Sequence, residues 1–350
     1  MTTNHPLIRH IGGGVEGEIT LIQHRTRGVV ILKARKCTRH ISNEANVTLS
    51  LLQTETIPKT TICQVFSIEG PTNDMIIEWC DGGDLRYIIN NLHSKSYSLG
   101  KSFLRHVQLH LGSALLFIHC GIHFNLSTGK YKNAPLKNGQ PWIRISHRDI
   151  KPDNVFLRWT SKADHSTPFP DLVLGDFGNA VTEHAFDSIF QNNTVPIEAP
   201  KWKKFCGQNY GPPEYFLLEG GDDHVHRFSI LSSFDIWQFG ATLYELLTRI
   251  VLNMVMQNQD RDGDKIGKWI GREEWGEVRE EVMDMITEDP MARMTDEVLM
   301  RMVPFWRGRR EEEFWCGDGV GGRDLEWLRG SSMRVSYDDD DDGDNGVEEL

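Results

Sequence analysis

The stretch from Ser146 to Leu157 constrains this 350-residue chain more than any other. It reads SHRDIKPDNVFL, with an aspartate at 149, a lysine at 151 and an asparagine at 154 directly ahead of a strand-like apolar run. Pro152 fixes one backbone angle among the polar residues, which favours a rigid loop over a merely solvated one. A carboxylate that can take a hydroxyl proton, a cation suited to a phosphate and an amide oxygen suited to Mg²⁺ are the groups that phosphoryl transfer calls for.

Downstream, Leu172-Val173-Leu174-Gly175 ends in Asp176-Phe177-Gly178, an aspartate at a strand end that can offer Mg²⁺ a second carboxylate. Upstream, Gly12, Gly14 and Gly17 form G-x-G-x-x-G, where missing Cβ atoms let backbone amides approach phosphate. The segment EITLIQ after these glycines reads as a strand, whereas a dinucleotide site calls for a helix there. Lys33 closes the apolar run Val30-Ile31-Leu32, and Glu44 follows early in a helical pattern. Each could be an ordinary surface charge. In this order a buried Lys-Glu pair is the stronger reading, because such a pair can hold the lysine against α- and β-phosphates.

LIRHIGGG, GEITLIQH and GVVILKARK read as an antiparallel meander, and TICQVFSIEG and DMIIEWC as two further strands. Between them ISNEANVTLSLLQ has helical spacing, with Ala45, Leu49 and Leu52 expected on one face. From about residue 81 the pattern turns helical. SFLRHVQLHLGSALLFIHCGIHF reads as a long apolar helix, Asn125 to Gln140 as a polar surface loop, and SSFDIWQFGATLYELLTRIVLN as a buried central helix. EEWGEVREEVMDMI and DEVLMRMV complete the helical half, and periodicity fades from Gly308. Ligands favour the cleft between two such units.

The net charge of −12 sits largely on Asp338 to Leu350, which hold eight acids and no base, so this tail reads as solubilising and disordered. The body is only mildly acidic, which argues against nucleic acid as a partner. No run approaches about 18 apolar residues, so no membrane span is expected. Six cysteines without a C-x-x-C pair suit reduced thiols and an intracellular setting, cytoplasm or nucleus, better than a disulfide framework or a zinc site.

Taken in order, Gly12-x-Gly14-x-x-Gly17, Ile31-Leu32-Lys33, Glu44, His147-Arg148-Asp149, Asn154, Asp176-Phe177-Gly178 and Pro212-Pro213-Glu214 resemble the protein-kinase signature set. Asp235-Ile236-Trp237-Gln238-Phe239-Gly240 is similar to the family's buried helix start. Asp289 to Thr295 resembles its closing arginine motif, which implies a structural pair between Arg293 and Glu214. The phrases CDGGDL, HRDIKPDNVFL and GDFGNA look NIMA-related.

The resemblance implies an α+β, two-lobed fold: a β-rich N-lobe with one regulatory helix over residues 7–79 and a mainly helical C-lobe over 80–306. Residues 307–350 would form an extension. It implies an ATP- and Mg²⁺-dependent serine/threonine protein kinase acting on protein substrates, with a pseudokinase scaffold as the alternative. Asp149 would be the base and Lys151 would contact the γ-phosphate. Lys33, oriented by Glu44, would hold the α- and β-phosphates, while Asn154 and Asp176 would bind Mg²⁺. Gly12, Gly14, Gly17 and Ile19 would cover the nucleotide. The hinge Glu78-Trp79-Cys80 would meet adenine, with Ile77 as gatekeeper and Asp84 near the ribose.

Two positions depart from the family pattern. Gly207 stands where a threonine normally links the catalytic aspartate and lysine, and Thr48 stands where a larger aliphatic is usual. Arg148 implies an activation loop, 177–205, that an activating kinase could phosphorylate at Thr182, Ser188 or Thr194. An unphosphorylated flexible loop is the equal alternative. Lys201, Lys203 and Lys204 would bind that phosphate or keep the loop soluble. Ser336, ahead of the acidic run, is a further phosphorylation candidate, and Trp306, Trp315 and Trp327 are expected to pack the start of the extension onto the larger lobe.

Overall fold

The computed structural model describes residues 6–13, 17–35, 43–52, 54, 57–70, 73–95, 100–134, 136–137, 139–159, 169–184, 209–213, 227–257 and 276–315. β1 (Leu7–Gly13), β2 (Gly17–His24), β3 (Gly28–Arg35), β4 (Val65–Glu69) and β5 (Asp74–Glu78) form one antiparallel sheet in the order β1-β2-β3-β5-β4. The two-residue period of the strands divides their side chains between two faces. Val30 and Leu32 pack with Ile22, Ile76 and Phe66 on one face. Ile31 and Lys33 turn to the other face and line a cavity.

Helix α1 (Asn43–Leu52) lies on the cavity side, and its rotation differs from the apolar reading. Leu49 is 45% exposed, while Glu44, Thr48 and Leu51 are buried. Residues 44, 48 and 51 share a face at helical spacing, so the contact of Glu44 with Lys33 sets the rotation rather than the apolar maximum.

The larger, mainly helical part holds α2 (Leu85–Lys95), α3 (Lys101–Cys120), α4 (Arg227–Thr248), α5 (Leu252–Gln257), α6 (Gly276–Met285) and α7 (Asp296–Trp315). Three two-stranded sheets accompany them: β6 (Ile122–Asn125) with β7 (Lys130–Asn133), β8 (Ile145–Ser146) with β11 (Val181–Thr182), and β9 (Val155–Arg158) with β10 (Asp171–Leu174). One apolar core joins α3, α4, α6 and α7 to the β9–β10 hairpin. The fold is therefore the two-lobed α+β arrangement.

Two parts of this half differ from the sequence reading. The run read as one helix to Phe124 ends at Cys120, and Ile122–Asn125 instead forms β6, paired with β7 inside the stretch read as a surface loop; the turn between them is tied by Asn125 Oδ1 accepting the N–H groups of Ser127 and Thr128. α7 continues through Gly308 to Trp315. Its buried stripe is Leu299, Val303, Trp306, Arg310 and Glu313, helically spaced but ending in two charged residues. Trp306 packs as expected, edge-on to Phe239; the side chain of Trp315, and Trp327, lie outside the described set. Among the described residues no helix is long and apolar enough to cross a membrane.

Candidate active site

The site is built on backbone that α4 holds in place. Asp235, fully buried on α4, accepts the N–H of His147 and of Arg148 with its two oxygens, both at 2.8 Å. Gln238, one turn on, accepts the N–H of Ile150 at 2.8 Å and donates to the Arg148 carbonyl. These bonds hold Arg148 in the left-handed region at φ 66°, a conformation that a non-glycine residue keeps only where its surroundings enforce it.

His119, at the end of α3, sits behind Asp235. Its Nε2 meets Asp235 at 2.9 Å and its Nδ1 meets Asp296 at 2.7 Å. Burial works against its charge, but Asp296 and Asp235 outweigh burial and lift it to about 9. A buried imidazolium between two carboxylates thus joins α3, α4 and α7 beneath the 147–154 loop.

Above that support, Asp149, Lys151 and Asn154 converge. Lys151 Nζ lies 2.8 Å from Asp149 Oδ2, and Asn154 Nδ2 donates to the same oxygen at 3.1 Å and to the Asp149 carbonyl at 2.8 Å. A third donor escaped the sequence reading: Asn179 Nδ2 also reaches Oδ2, at 3.1 Å. Among the described residues, Oδ1 of Asp149 is buried without a hydrogen-bond partner. One oxygen is thus fixed by three donors while the other keeps its acceptor capacity.

A second cluster joins Lys33, Glu44 and Asp176. Lys33 Nζ lies 2.7 Å from Glu44 Oε1 and 2.8 Å from Asp176 Oδ1. Burial opposes the ammonium charge, yet the two carboxylates prevail and raise the lysine above its ordinary range. Burial likewise disfavours the Asp176 carboxylate, but Lys33 more than offsets it and holds the group below the usual value. Asp176 has φ 59°, and the next residue, Phe177, packs its ring 4.8 Å from that of His147. His147 Nε2 contacts the carbonyl of Gly175 at 3.0 Å, so the two metal-ligand candidates sit on segments tied to each other.

A cavity of about 400 Å³ lies between sheet and helices. Its lining includes Ile19, Lys33, Ile77, Glu78, Cys80, Asp84 and Asp176, with Ile11, Ile31 and Phe156 adding apolar walls. Asp84 also caps α2, accepting the N–H of Tyr87 at 2.8 Å, and burial raises its pKa. Gly12 ends β1 and Gly17 opens β2. Gly14, Gly207, Glu214, Ser188, Thr194, Ser336, Lys201, Lys203 and Lys204 lie outside the described residues. Thr182 is buried in β11, opposite Ile145, a poor position for a phosphorylation site. Arg293 donates to the carbonyls of Thr287, Glu288 and Ser233, with its guanidinium 4.8 Å from the Trp237 ring centroid. Thr48 is buried with its hydroxyl 3.9 Å from Met75 Sδ.

Comparison with known proteins finds similarity to protein kinases. The chain is 29% identical over 180 residues to the G2-specific protein kinase nimA of Emericella nidulans, which covers 50% of this chain and 22% of that protein. It is 25% identical over 262 residues to the serine/threonine-protein kinase Nek1 of Toxoplasma gondii, covering 70% of this chain and 14% of that protein. It is 28% identical over 173 residues to human serine/threonine-protein kinase Nek2, covering 49% and 28%. The chain is similar to serine/threonine protein kinases.

The similarity runs to NIMA-related kinases, in line with CDGGDL, HRDIKPDNVFL and GDFGNA. No family model matches the chain. The chain spans between 14% and 28% of the length of the three relatives named.

Proposed function

We propose that this chain transfers the γ-phosphoryl group of ATP to serine or threonine hydroxyls of protein substrates, with Mg²⁺ as metal cofactor. The observation that carries the reading is the asymmetry of Asp149, with Oδ2 held by three donors and Oδ1 buried and, among the described residues, unpartnered. An acceptor fixed in that way is suited to orient a substrate hydroxyl and take its proton. Lys151 beside it suits the γ-phosphate, and Lys33, paired with Glu44, suits the α- and β-phosphates. The apolar cavity walls at Ile11, Ile31 and Ile77 suit an adenine ring, with the Glu78–Cys80 backbone as its hydrogen-bonding edge.

The donor set fits Mg²⁺. Asn154 uses its amide nitrogen on Asp149, which leaves its amide oxygen, and Asp176 uses Oδ1 on Lys33, which leaves Oδ2. Both are hard oxygen ligands. When bound there, the metal supplies charge neutralisation of the phosphates. A kinase acting on the 177–205 loop belongs to this reading, with Ser188 and Thr194 as its remaining targets.

The scaffold alternative rests on Thr48, a small polar residue in the packed position beneath Met75, and on Gly207. The test is incubation with Mg-ATP and a serine/threonine peptide library, read by mass spectrometry. Phosphoserine or phosphothreonine products support the enzyme. Tight ATP binding with no product supports the scaffold.

A further inference from the structure

Behind the hinge, three side chains converge that the proposed phosphotransfer does not use as a group. The thiols of Cys63 and Cys80 and a carboxylate oxygen of Glu78 lie within 4.8 Å of one another, and all three residues line the cavity. We propose that they form a site for a thiophilic divalent cation, Zn²⁺ in biological terms, whose occupancy opposes nucleotide binding.

The dimensions suit a tetrahedral ion. With Zn–S bonds near 2.3 Å, two thiolates on one zinc stand about 3.8 Å apart, within the spread these atoms already have. Two sulfurs and one carboxylate oxygen are ligand types that Zn²⁺ takes, and three protein ligands leave a fourth position open. The third ligand is oriented from outside the cluster. Arg158 Nη1 lies 2.7 Å from Glu78 Oε1, and the backbone N–H of Gln64 donates to Oε2 at 3.1 Å. Such outer-shell donors fix a ligating carboxylate and strengthen a metal site.

The backbone beneath the ligands is also held. Cys63 N–H donates to the Leu174 carbonyl at 2.9 Å, and Glu78 N–H donates to the Gln64 carbonyl at 2.9 Å. Thiol ligands bind zinc as thiolates, so binding breaks two S–H bonds, forms two metal–sulfur bonds and releases two protons to solvent. Residues 78 and 80 flank Trp79 on the hinge, so drawing their side chains onto one ion shifts the backbone proposed to meet adenine. That coupling, though not the metal site itself, rests on the proposed nucleotide cavity.

The test uses the full reduced chain and Cd²⁺, whose bonds to thiolate absorb in the ultraviolet, beside a Cys63→Ser variant. A second variant, Cys63→Val, and thermal unfolding of all three proteins guard against misfolding. The four other cysteines give a background common to every sample. The wild type is expected to bind one Cd²⁺ more than either variant, or to bind it at least tenfold more tightly. Zn²⁺ is then expected to weaken ATP binding at least tenfold in the wild type and not in the variants. Equal Cd²⁺ titrations in folded wild type and variants overturn the site. A Cd²⁺ difference with ATP binding unaffected by Zn²⁺ overturns the coupling. Failure of ATP to bind in any sample counts against the nucleotide reading and leaves the Cd²⁺ result to decide the site.

Discussion

Asn179→Ala isolates one of the three donors on Asp149 Oδ2. The amide lies 3.1 Å from that oxygen, as does Asn154 Nδ2, and Lys151 Nζ is closer at 2.8 Å. A hydrogen bond to a charged group contributes about 1.5–3 kcal/mol. Asn179 is only half-buried and two donors remain, so the lower figure applies, and about 1.4 kcal/mol corresponds to tenfold in rate. The variant should lose about tenfold in kcat. Its KM for ATP should hold, because Asn179 is not part of the cavity wall. Steady-state phosphate transfer with varied ATP measures both parameters. A kcat within twofold of wild type refutes Asn179 as a positioning residue. A raised KM at constant kcat refutes the assignment of its effect to Asp149.

Lys33→Met removes the ammonium shared by Glu44 and Asp176 and should reduce transfer by at least a hundredfold with a raised KM for ATP, measured in the same assay. His119, lifted to about 9, binds its proton more tightly in the folded chain than at the ordinary value of 6.5. Its contribution is therefore full below pH 6.5 and lost as pH rises through 9, on the order of 3 kcal/mol. Thermal unfolding should show that loss in wild type and a flatter profile in His119→Gln. His110 works in the other sense, because burial lowers it to about 4, and its contribution fades as pH falls from 6.5 towards 4. Glu281→Ala takes the nearest carboxylate from Arg105, a side chain 1% exposed, and should destabilise the chain by about 3 kcal/mol in denaturant unfolding; a change under 1 kcal/mol would show that Glu277 and Glu313 suffice.

Much of this arrangement is legible in the chain because it is local. The strands β1 to β5 follow from short β-prone runs between turns, and α3 and α4 from apolar residues nearly all round the helix. Asp149, Lys151 and Asn154 stand within six residues of one another, so one rigid loop assembles them. What escaped the sequence depends on contacts between distant segments. Asn179 looks like any polar residue until the β8–β11 pairing brings it to Asp149. His119 lies on an apolar helix and declares its charge only beside Asp235 and Asp296, which come from two other helices. The end of α7 was hidden because its buried stripe closes with Arg310 and Glu313, residues that hydrophobic periodicity counts as solvent-facing. The rotation of α1 was misread for the same reason, since an ion pair outranks Leu49 for the inner face.

The central claim is that Asp149 serves as the base in transfer from ATP to a hydroxyl. Its most direct test follows radiolabelled γ-phosphate from Mg-ATP into generic serine/threonine substrates, with Asp149→Ala beside the wild type and ATP binding measured in both. The account predicts incorporation by the wild type, none above background in the variant, and similar ATP binding in the two. Equal incorporation in both proteins would contradict it.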